Sequence, residues 1–232
     1  MKEVTQKAKG YKESKMDLKN KKVAFFDMDG TLVDSETLYF QTRKEVLAKY
    51  GFDYQKSENN KLLATGFEPT LRYLQQKTGD KVLGQKIFDE ALALFNQRVK
   101  EGKLAVKPGA EKLLSFLQEK GIKSYITSSS DIEKINFNLS HNDLRQYFAG
   151  IVTGEDVKNN KPAPDIYLHA LNVAKVDKNE AVIFEDAPNG VESGLNAGID
   201  VVLVPDQVMP SEKMIKKVTV VKSLADAVPL FE

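Results

Sequence analysis

Short apolar runs alternate with longer amphipathic stretches along most of the chain. Five such runs predict strands, at Val23–Phe26, Ile122–Thr127, Ile151–Val152, Ala181–Phe184 and Val201–Val204. A short run that is apolar on both faces is typical of a strand buried within a parallel sheet. The stretches between the runs predict helices, at Pro108–Lys120, Asp131–Ser140, Asp165–Val173 and Pro188–Ala197. We expect Pro108 and Pro188 at the first helical position, where proline leaves no N–H unpaired. Strand and helix in alternation predict an α/β fold with a doubly wound, Rossmann-like parallel sheet.

Only helical patterning fills the segment between the first two predicted strands. Leu38, Val46 and Leu47 fit one amphipathic helix, and Leu83 and Ile87 fit another. An insertion of this size predicts a separate α-helical domain at 35–106. The α/β core domain is then formed by 22–34 and 107–232.

Composition and charge exclude several classes of protein. The 232 residues include no cysteine, so disulfides, thiolate nucleophiles and zinc-thiolate sites are excluded. A net charge of +1 favours neither nucleic acid nor an anionic membrane as a partner, and no apolar run is long enough to span a bilayer. Segment 1–21 is rich in lysine and reads as a basic, flexible N-terminal tail. The expectation is a cytoplasmic monomer.

Polar residues that suit phosphate chemistry follow the predicted strands. They are Asp27 and Asp29, Ser128 to Ser130, Lys161, and the pair Glu185 and Asp186. In a parallel sheet the carboxyl ends of the strands meet at one edge, where ligands bind. Carboxylates crowded there need a cation, and a ligand set of oxygen atoms without His or Cys indicates Mg²⁺. A lysine and serine hydroxyls suit a phosphoryl group, so the pattern predicts phosphoryl transfer.

These segments resemble the motifs of the haloacid dehalogenase (HAD) superfamily. The string Phe26-Asp27-Met28-Asp29-Gly30-Thr31-Leu32-Val33-Asp34-Ser35 resembles its first motif. Ser128, Lys161 and the string Glu185-Asp186-Ala187-Pro188-Asn189-Gly190 resemble the other three. The helical insertion resembles the type C1 cap. The branch containing β-phosphoglucomutase and sugar-phosphate phosphatases is the most similar.

The resemblance implies a role for each matched residue. It makes Asp27 the nucleophile that forms an aspartyl-phosphate, and Asp29 the general acid and then the base. It places Mg²⁺ between Asp27, the backbone carbonyl of Asp29 and Asp186, with Glu185 as an additional or water-mediated ligand. It assigns the phosphoryl oxygens to Ser128, Ser129 and Lys161.

Substrate recognition is expected to lie in the insertion, because the core motifs contact only the phosphoryl group. Thr65-Gly66-Phe67-Glu68-Pro69 resembles the cap loop that reaches the site, so Gly66, Phe67 and nearby Arg72 are candidate substrate contacts. The mutase has Arg, His and Lys where this chain has Pro69, Tyr39 and Asp131.

Three functions therefore remain open. The first is a Mg²⁺-dependent phosphatase acting on a small phosphate monoester, and the expected substrate is a sugar phosphate. The second is a phosphomutase on the same scaffold, which the missing cations and His disfavour. The third is a non-enzymatic phospho-acceptor signalling domain, which the chain length and the long insertion disfavour.

Overall fold

The structure is a computed structural model that describes residues 16–63 and 66–232. The chain divides into two compact units. One contains the chain up to Val33 together with Val106–Glu232, and the other is Asp34–Ala105. The second unit begins and ends one residue earlier than the predicted insertion.

In the described part of the first unit, six parallel strands form one sheet in the order β3-β2-β1-β4-β5-β6. Their bounds are β1 Val23–Phe26, β2 Lys123–Ser128, β3 Phe148–Thr153, β4 Ala181–Glu185, β5 Asp200–Leu203 and β6 Thr219–Val220. The central strand β1 is buried along its whole length, as is β4 beside it. The predicted fold class, a doubly wound parallel sheet with an inserted helical segment, is confirmed.

The helices of the first unit lie between these strands in sequence. Numbered after the four helices of the other unit, they are α5 Ala110–Glu119, α6 Ile132–Ser140, α7 Asp165–Ala174, α8 Pro188–Ala197 and α9 Glu212–Ile215. Short 3₁₀ helices lie at Arg145–Tyr147, Gly154–Asp156, Lys178–Glu180 and Leu224–Phe231.

Several predicted boundaries need correction. Pro188 begins α8 as expected, but Pro108 precedes the helix, because Gly109 is the N-cap of α5 with φ of +84°. Strand β3 is longer than Ile151–Val152, because Phe148 and Gly150 also pair with β2. Exposed Ala149 at the register shift and half-buried Gly150 interrupt the apolar run, so the sequence did not show this part of the strand. Strand β6 was not predicted, since a pair of residues is too short to show a period.

The core of the first unit is formed by both faces of the sheet and the helices against them. Strand residues such as Phe25, Ile183 and Val201 pack with Tyr167 of α7 and Val191 of α8. This continuous apolar packing sets the strand ends at a common level.

The second unit is helical throughout its described residues. It contains α1 Ser35–Lys49, α2 Lys56–Asn59, α3 Phe67–Thr78 and α4 Lys81–Lys100. Its own core contains Val46 and Leu47 of α1, Leu74 of α3 and Ile87 of α4. It therefore buries a core separate from that of the sheet.

The first part of the expected flexible tail 1–21, residues 1–15, lies outside the described residues. Beyond that point the chain is held against the first unit. Leu18 is fully buried and its N–H donates to the carbonyl of Leu230 at 2.8 Å. Lys21 is buried and its Nζ donates to Asp200 at 2.7 Å. None of the helices in 16–63 and 66–232 combines the length and the apolarity that crossing a bilayer requires.

We predict that Gly84→Ala destabilises the protein although alanine is the better helix former. A Cβ at Gly84 on α4 would lie 2.5 Å from Cα of Gln75 on α3, so the two helices would have to separate. Overpacking of this kind costs about 1–3 kcal/mol, more than the roughly 1 kcal/mol that the helix propensity of alanine returns. Urea denaturation followed by circular dichroism at 222 nm measures the change.

Gln85→Ala is the matched control, because Gln85 is exposed on the same helix. Its free energy of unfolding should stay within about 0.5 kcal/mol of the wild-type value. A denaturation midpoint of Gly84→Ala at or above that of the wild type contradicts the close helix contact.

Candidate active site

The two aspartates of the first motif stand differently after β1, because Asp27 continues the strand and Asp29 stands where a sharp turn begins. The N–H of Asp27 donates to the carbonyl of Phe184 on β4 at 3.0 Å, so Asp27 continues the line of the strand. Gly30 has φ of +88°, and a Cβ there would lie 2.3 Å from Oδ2 of Asp186. Glycine is therefore needed for both the backbone conformation and the close approach of the carboxylate. The turn takes Asp29 to partners different from those of Asp27.

Lys161 connects the first and fourth motifs. Its Nζ donates to Oδ1 of Asp27 at 2.7 Å, to Oε1 of Glu185 at 2.6 Å and to the carbonyl of Thr127 at 2.9 Å. The lysine side chain is 7% exposed, so the contacts are largely shielded from water. Three distant parts of the chain thus meet around one ammonium group at the carboxyl ends of β1, β2 and β4.

Glu185 has hydrogen bonds at both carboxylate oxygens. Oε1 accepts from Lys161 and from the hydroxyl of Tyr167 at 3.1 Å. Oε2 accepts from the backbone N–H groups of Asp186 and Ala187 at 3.0 and 3.3 Å. A Cβ at Gly190 would overlap Oε1 of Glu185 at 1.7 Å. The carboxylate is therefore fixed by its neighbours, and a glycine in α8 is required to make room for it.

Burial and like charge dominate the electrostatics of the carboxylates. Burial raises the pKa of Asp27 to about 7, against the lowering effect of Lys161 and with a further rise from Glu185. Burial likewise raises the pKa of Asp186 well above its ordinary value, and the charges of Glu185 and Asp27 add to the rise. Burial by itself lowers the pKa of Lys161, but Asp27 and Glu185 outweigh it, so the pKa lies above the usual range. The lysine is charged, and the carboxylates beside it repel one another.

The carboxylates form a group that fits a divalent cation. Within the described residues, Asp27, Glu185 and Asp186 each offer an oxygen, and these atoms lie within 4.8 Å of one another. Thr31 donates to Oδ1 of Asp186 at 2.9 Å and orients it. Donors that are all oxygen suit a hard cation such as Mg²⁺. The side chain of Asp29 is not part of this group, and the role of its backbone carbonyl stays a prediction.

Asp29 has partners that the sequence analysis missed. Its Oδ2 accepts from the Ser130 hydroxyl at 2.9 Å and from Nζ of Lys134 at 2.8 Å. Position 131 is Asp where the mutase has Lys, but Lys134, in the first turn of α6, brings a cation to Asp29. A search of that turn for cations, not of position 131 alone, would have found it.

The two predicted phosphate-binding serines lie at the end of β2. Ser128 is buried, and its hydroxyl accepts from the N–H of Ser130 at 3.2 Å. Ser129 is exposed. Both lie in the segment that also carries Thr127, whose carbonyl contacts Lys161. Their contact with a phosphoryl group stays a prediction.

The predicted substrate residues of the insertion belong to the second unit. Phe67, Glu68 and Pro69 lie in the first turn of α3 rather than in a loop, because proline is tolerated there and Gly66 at φ of +85° is the N-cap. Thr65, also assigned to that loop, lies outside the described residues.

Phe67 and Arg72 have partners within their own unit. The ring of Phe67 packs edge-on against Tyr39 and Phe88. Arg72 is exposed and pairs with Glu68 at 3.2 Å. A role of either residue in substrate binding stays a prediction.

Comparison with known proteins agrees with this geometry. The family model described as haloacid dehalogenase-like hydrolase matches residues 24–204. A phosphorylated carbohydrates phosphatase of Thermotoga maritima is 32% identical, over 75% of this chain and 81% of its own length. (DL)-glycerol-3-phosphatase 2 of Arabidopsis thaliana is 31% identical, over 78% of each chain. The crystal structure of CbbY from Rhodobacter sphaeroides in complex with phosphate superposes with a TM-score of 0.73 and 26% identity, over 89% of this chain and 96% of CbbY.

The doubly wound sheet and the residues at its strand ends place the chain among enzymes with a Rossmann-like α/β fold. The chain belongs to the haloacid dehalogenase-like hydrolase family. The resemblance inferred from the motifs is confirmed, and so is the enzyme class, a HAD-like phosphatase. The non-enzymatic signalling alternative is therefore not retained.

We predict that Mg²⁺ binding weakens as the pH falls. The cation binds ionised carboxylates, whereas the raised pKa of Asp27, about 7, means that a proton occupies the site at lower pH. The proton on Asp27 alone makes the Mg²⁺ affinity about tenfold weaker at pH 6 than at pH 8, and the raised pKa of Asp186 adds to the effect. Isothermal titration in two buffers of different ionisation enthalpy measures both the affinity and the protons released.

Asp186→Asn is the matched variant for this measurement, because it removes a ligand charge at nearly constant size. It should bind Mg²⁺ more weakly at both pH values. Equal wild-type affinity at pH 6 and pH 8, without proton release, contradicts the assignment of these carboxylates as ligands.

Proposed function

We propose that the protein is a Mg²⁺-dependent phosphatase that hydrolyses a small phosphorylated metabolite, a sugar phosphate, through an aspartyl-phosphate on Asp27. The observation that carries the proposal is the contact of Lys161 with both Asp27 and Glu185, next to Asp186. A lysine held between the nucleophile and the acidic pair lies where the charge of a transferring phosphoryl has to be balanced.

Asp27 and Asp186 are the residues that we expect to hold Mg²⁺ directly. Both oxygens of Glu185 already accept hydrogen bonds, so we assign it a water-mediated or purely electrostatic part. The bound cation would supply charge neutralisation, which allows an anionic carboxylate to approach an anionic phosphate.

In the first half of the reaction, Oδ of Asp27 attacks phosphorus and the bond to the substrate oxygen breaks. Lys161 balances the negative charge on the phosphoryl oxygens, and Ser128 and the N–H of Ser129 bind them. Asp29 gives its proton to the leaving oxygen, which departs as an alcohol. In the second half Asp29 takes a proton from water, which attacks the aspartyl-phosphate and releases inorganic phosphate. Proton transfer from a positioned acid contributes about 10²–10⁴ in rate.

The assignment of the substrate class is supported by the relatives. One is named for phosphorylated carbohydrates and another for glycerol 3-phosphate, and both names describe small polyhydroxylated phosphate monoesters. Asp29 is half-buried and Ser129 exposed, so polar groups are available to such an alcohol leaving group.

A phosphomutase is the second candidate. The observation on its side is that the segment after β2 does carry a cation, Lys134, although it pairs with Asp29. Tyr39 and Pro69 still stand where the mutase has His and Arg. Release of inorganic phosphate from hexose, pentose and glycerol phosphates with Mg²⁺ present separates the two functions, because a mutase returns an isomeric phosphate instead.

We predict that Asp27→Asn abolishes phosphatase turnover. The amide is a poor nucleophile and cannot form a stable acyl-phosphate, so phosphate release should fall by at least about 10⁴-fold. Phosphate release from the panel above measures the change, and Asp53→Asn, at an exposed position of the second unit, serves as the control. Phosphatase activity retained by Asp27→Asn contradicts the role of Asp27.

We predict that Asp29→Asn lowers turnover by about 10²–10⁴-fold and leaves Mg²⁺ affinity largely unchanged. The substitution removes the proton donor but keeps the backbone carbonyl. Steady-state kinetics and a calorimetric Mg²⁺ titration are run on the same preparation. A parallel loss of Mg²⁺ affinity and turnover would show instead that the Asp29 side chain serves the metal site.

A further inference from the structure

Asp29, Ser130 and Lys134 form a closed triangle of side chains. Oδ2 of Asp29 accepts from the hydroxyl of Ser130 at 2.9 Å and from Nζ of Lys134 at 2.8 Å. The third side of the triangle joins Nζ of Lys134 to the hydroxyl of Ser130 at 3.0 Å. The side chains of Asp29 and Lys134 are 21% and 18% exposed, so the ion pair is only partly screened by water. A contact of this kind restrains the Asp29 carboxylate more than an exposed ion pair would.

Lys134 does not stabilise its own helix, because of where it lies in that helix. Lys134 lies in the first turn of α6, and its N–H donates at 2.7 Å to the N-cap side chain of Asp131. The N-terminal end of a helix carries partial positive charge, so a cation there costs about 0.3–1 kcal/mol. The ion pair with the carboxylate of Asp29, on a different segment of the chain, offsets this cost. The local helix therefore does not explain the lysine, whereas the contact with Asp29 does.

The two aspartates are held in different ways. Asp27 lies on the line of β1 and is held by the sheet and by Lys161, but Asp29 lies beyond the strand and is only half buried. An acid that protonates a leaving oxygen has to be held within a small range of positions, since proton transfer depends steeply on distance. Ser130, just after β2, and Lys134, on α6, supply that restraint.

We propose that Lys134, together with Ser130, is a positioning residue that holds the Asp29 carboxyl group for proton transfer to the leaving oxygen. The inference rests on the proposed function and assigns to it a residue outside the motifs of the family resemblance. Lys134 acts through Asp29 and forms no bond to the phosphoryl group. Replacing Lys134 should therefore lower kcat/KM most for substrates whose leaving group most needs a proton.

The test is a series of aryl phosphates whose leaving groups differ in basicity. The value of kcat/KM reports the steps up to the release of the phenol, which is the half-reaction in which Asp29 donates its proton. 4-Nitrophenolate is a weak base and leaves without help, whereas phenolate and 4-methoxyphenolate need a proton. For Lys134→Met, we expect kcat/KM for phenyl phosphate to fall about tenfold to a hundredfold further than for 4-nitrophenyl phosphate. A plot of log kcat/KM against leaving-group basicity then becomes steeper than that of the wild type.

A double-mutant cycle with Asp29→Asn shows whether Lys134 acts through Asp29. In the Asp29→Asn background, Lys134→Met should change kcat/KM for phenyl phosphate by less than about threefold, because the group that Lys134 holds is already gone. Glu133→Gln is the matched control, since Glu133 is exposed one position before Lys134 on α6. Its plot should coincide with that of the wild type.

Other outcomes overturn the proposal. Equal losses for every aryl phosphate would make Lys134 a structural residue. A rise in KM alone, with an unchanged slope, would make it a direct substrate contact. Wild-type protein that releases phosphate from none of the aryl, hexose, pentose and glycerol phosphates would refute the proposed function, and this inference with it. Wild-type turnover with parallel plots would refute only the role of Lys134.

Discussion

The ammonium group of Lys161 is the contact on which the arrangement of the site depends. Asp27, Glu185 and Asp186 are buried beside one another, and like charges in that setting repel strongly. Lys161 pairs with Asp27 and Glu185 and also with a carbonyl at the end of β2. A buried cation with all of these partners fixes the level at which three neighbouring strands end. Without it, the carboxylates would have to be protonated or move apart.

Two glycines allow the carboxylates to come this close. Gly30 lies against Asp186 and Gly190 against Glu185, and a methyl group at either position would occupy the space of a carboxylate oxygen. Burial raises the pKa values of Asp27 and Asp186, and the close approach of the carboxylates that these glycines permit adds to the rise. The same crowding gives a divalent cation a strong reason to bind, because it replaces repulsion by attraction.

The division of labour between the two aspartates follows from the same backbone. Asp27 continues the line of β1, where it contacts Lys161 and lies beside Glu185 and Asp186. Asp29 lies just before Gly30, where the turn begins, and accepts hydrogen bonds from Ser130 and Lys134. Two carboxylates that are neighbours in sequence thereby have separate surroundings, which is the condition for one to act as a nucleophile and the other as an acid and base.

Much of this was determined by the sequence alone. The apolar runs predicted the strands and their parallel order, because strands buried on both faces carry no polar residues, and the four motifs predicted which side chains meet at the strand ends. The short strand β6 and the true start of α3 could not be predicted, since neither has a hydrophobic period of its own. Only the tertiary structure decided which groups contact Asp29. The same is true of the hydrogen bond that Tyr167 donates to Glu185. The contacts of Asp29 join residues more than a hundred positions apart in the chain, and the contact of Tyr167 depends on which face of its helix meets the strand end. A local pattern of hydrophobic and polar residues contains no information on either.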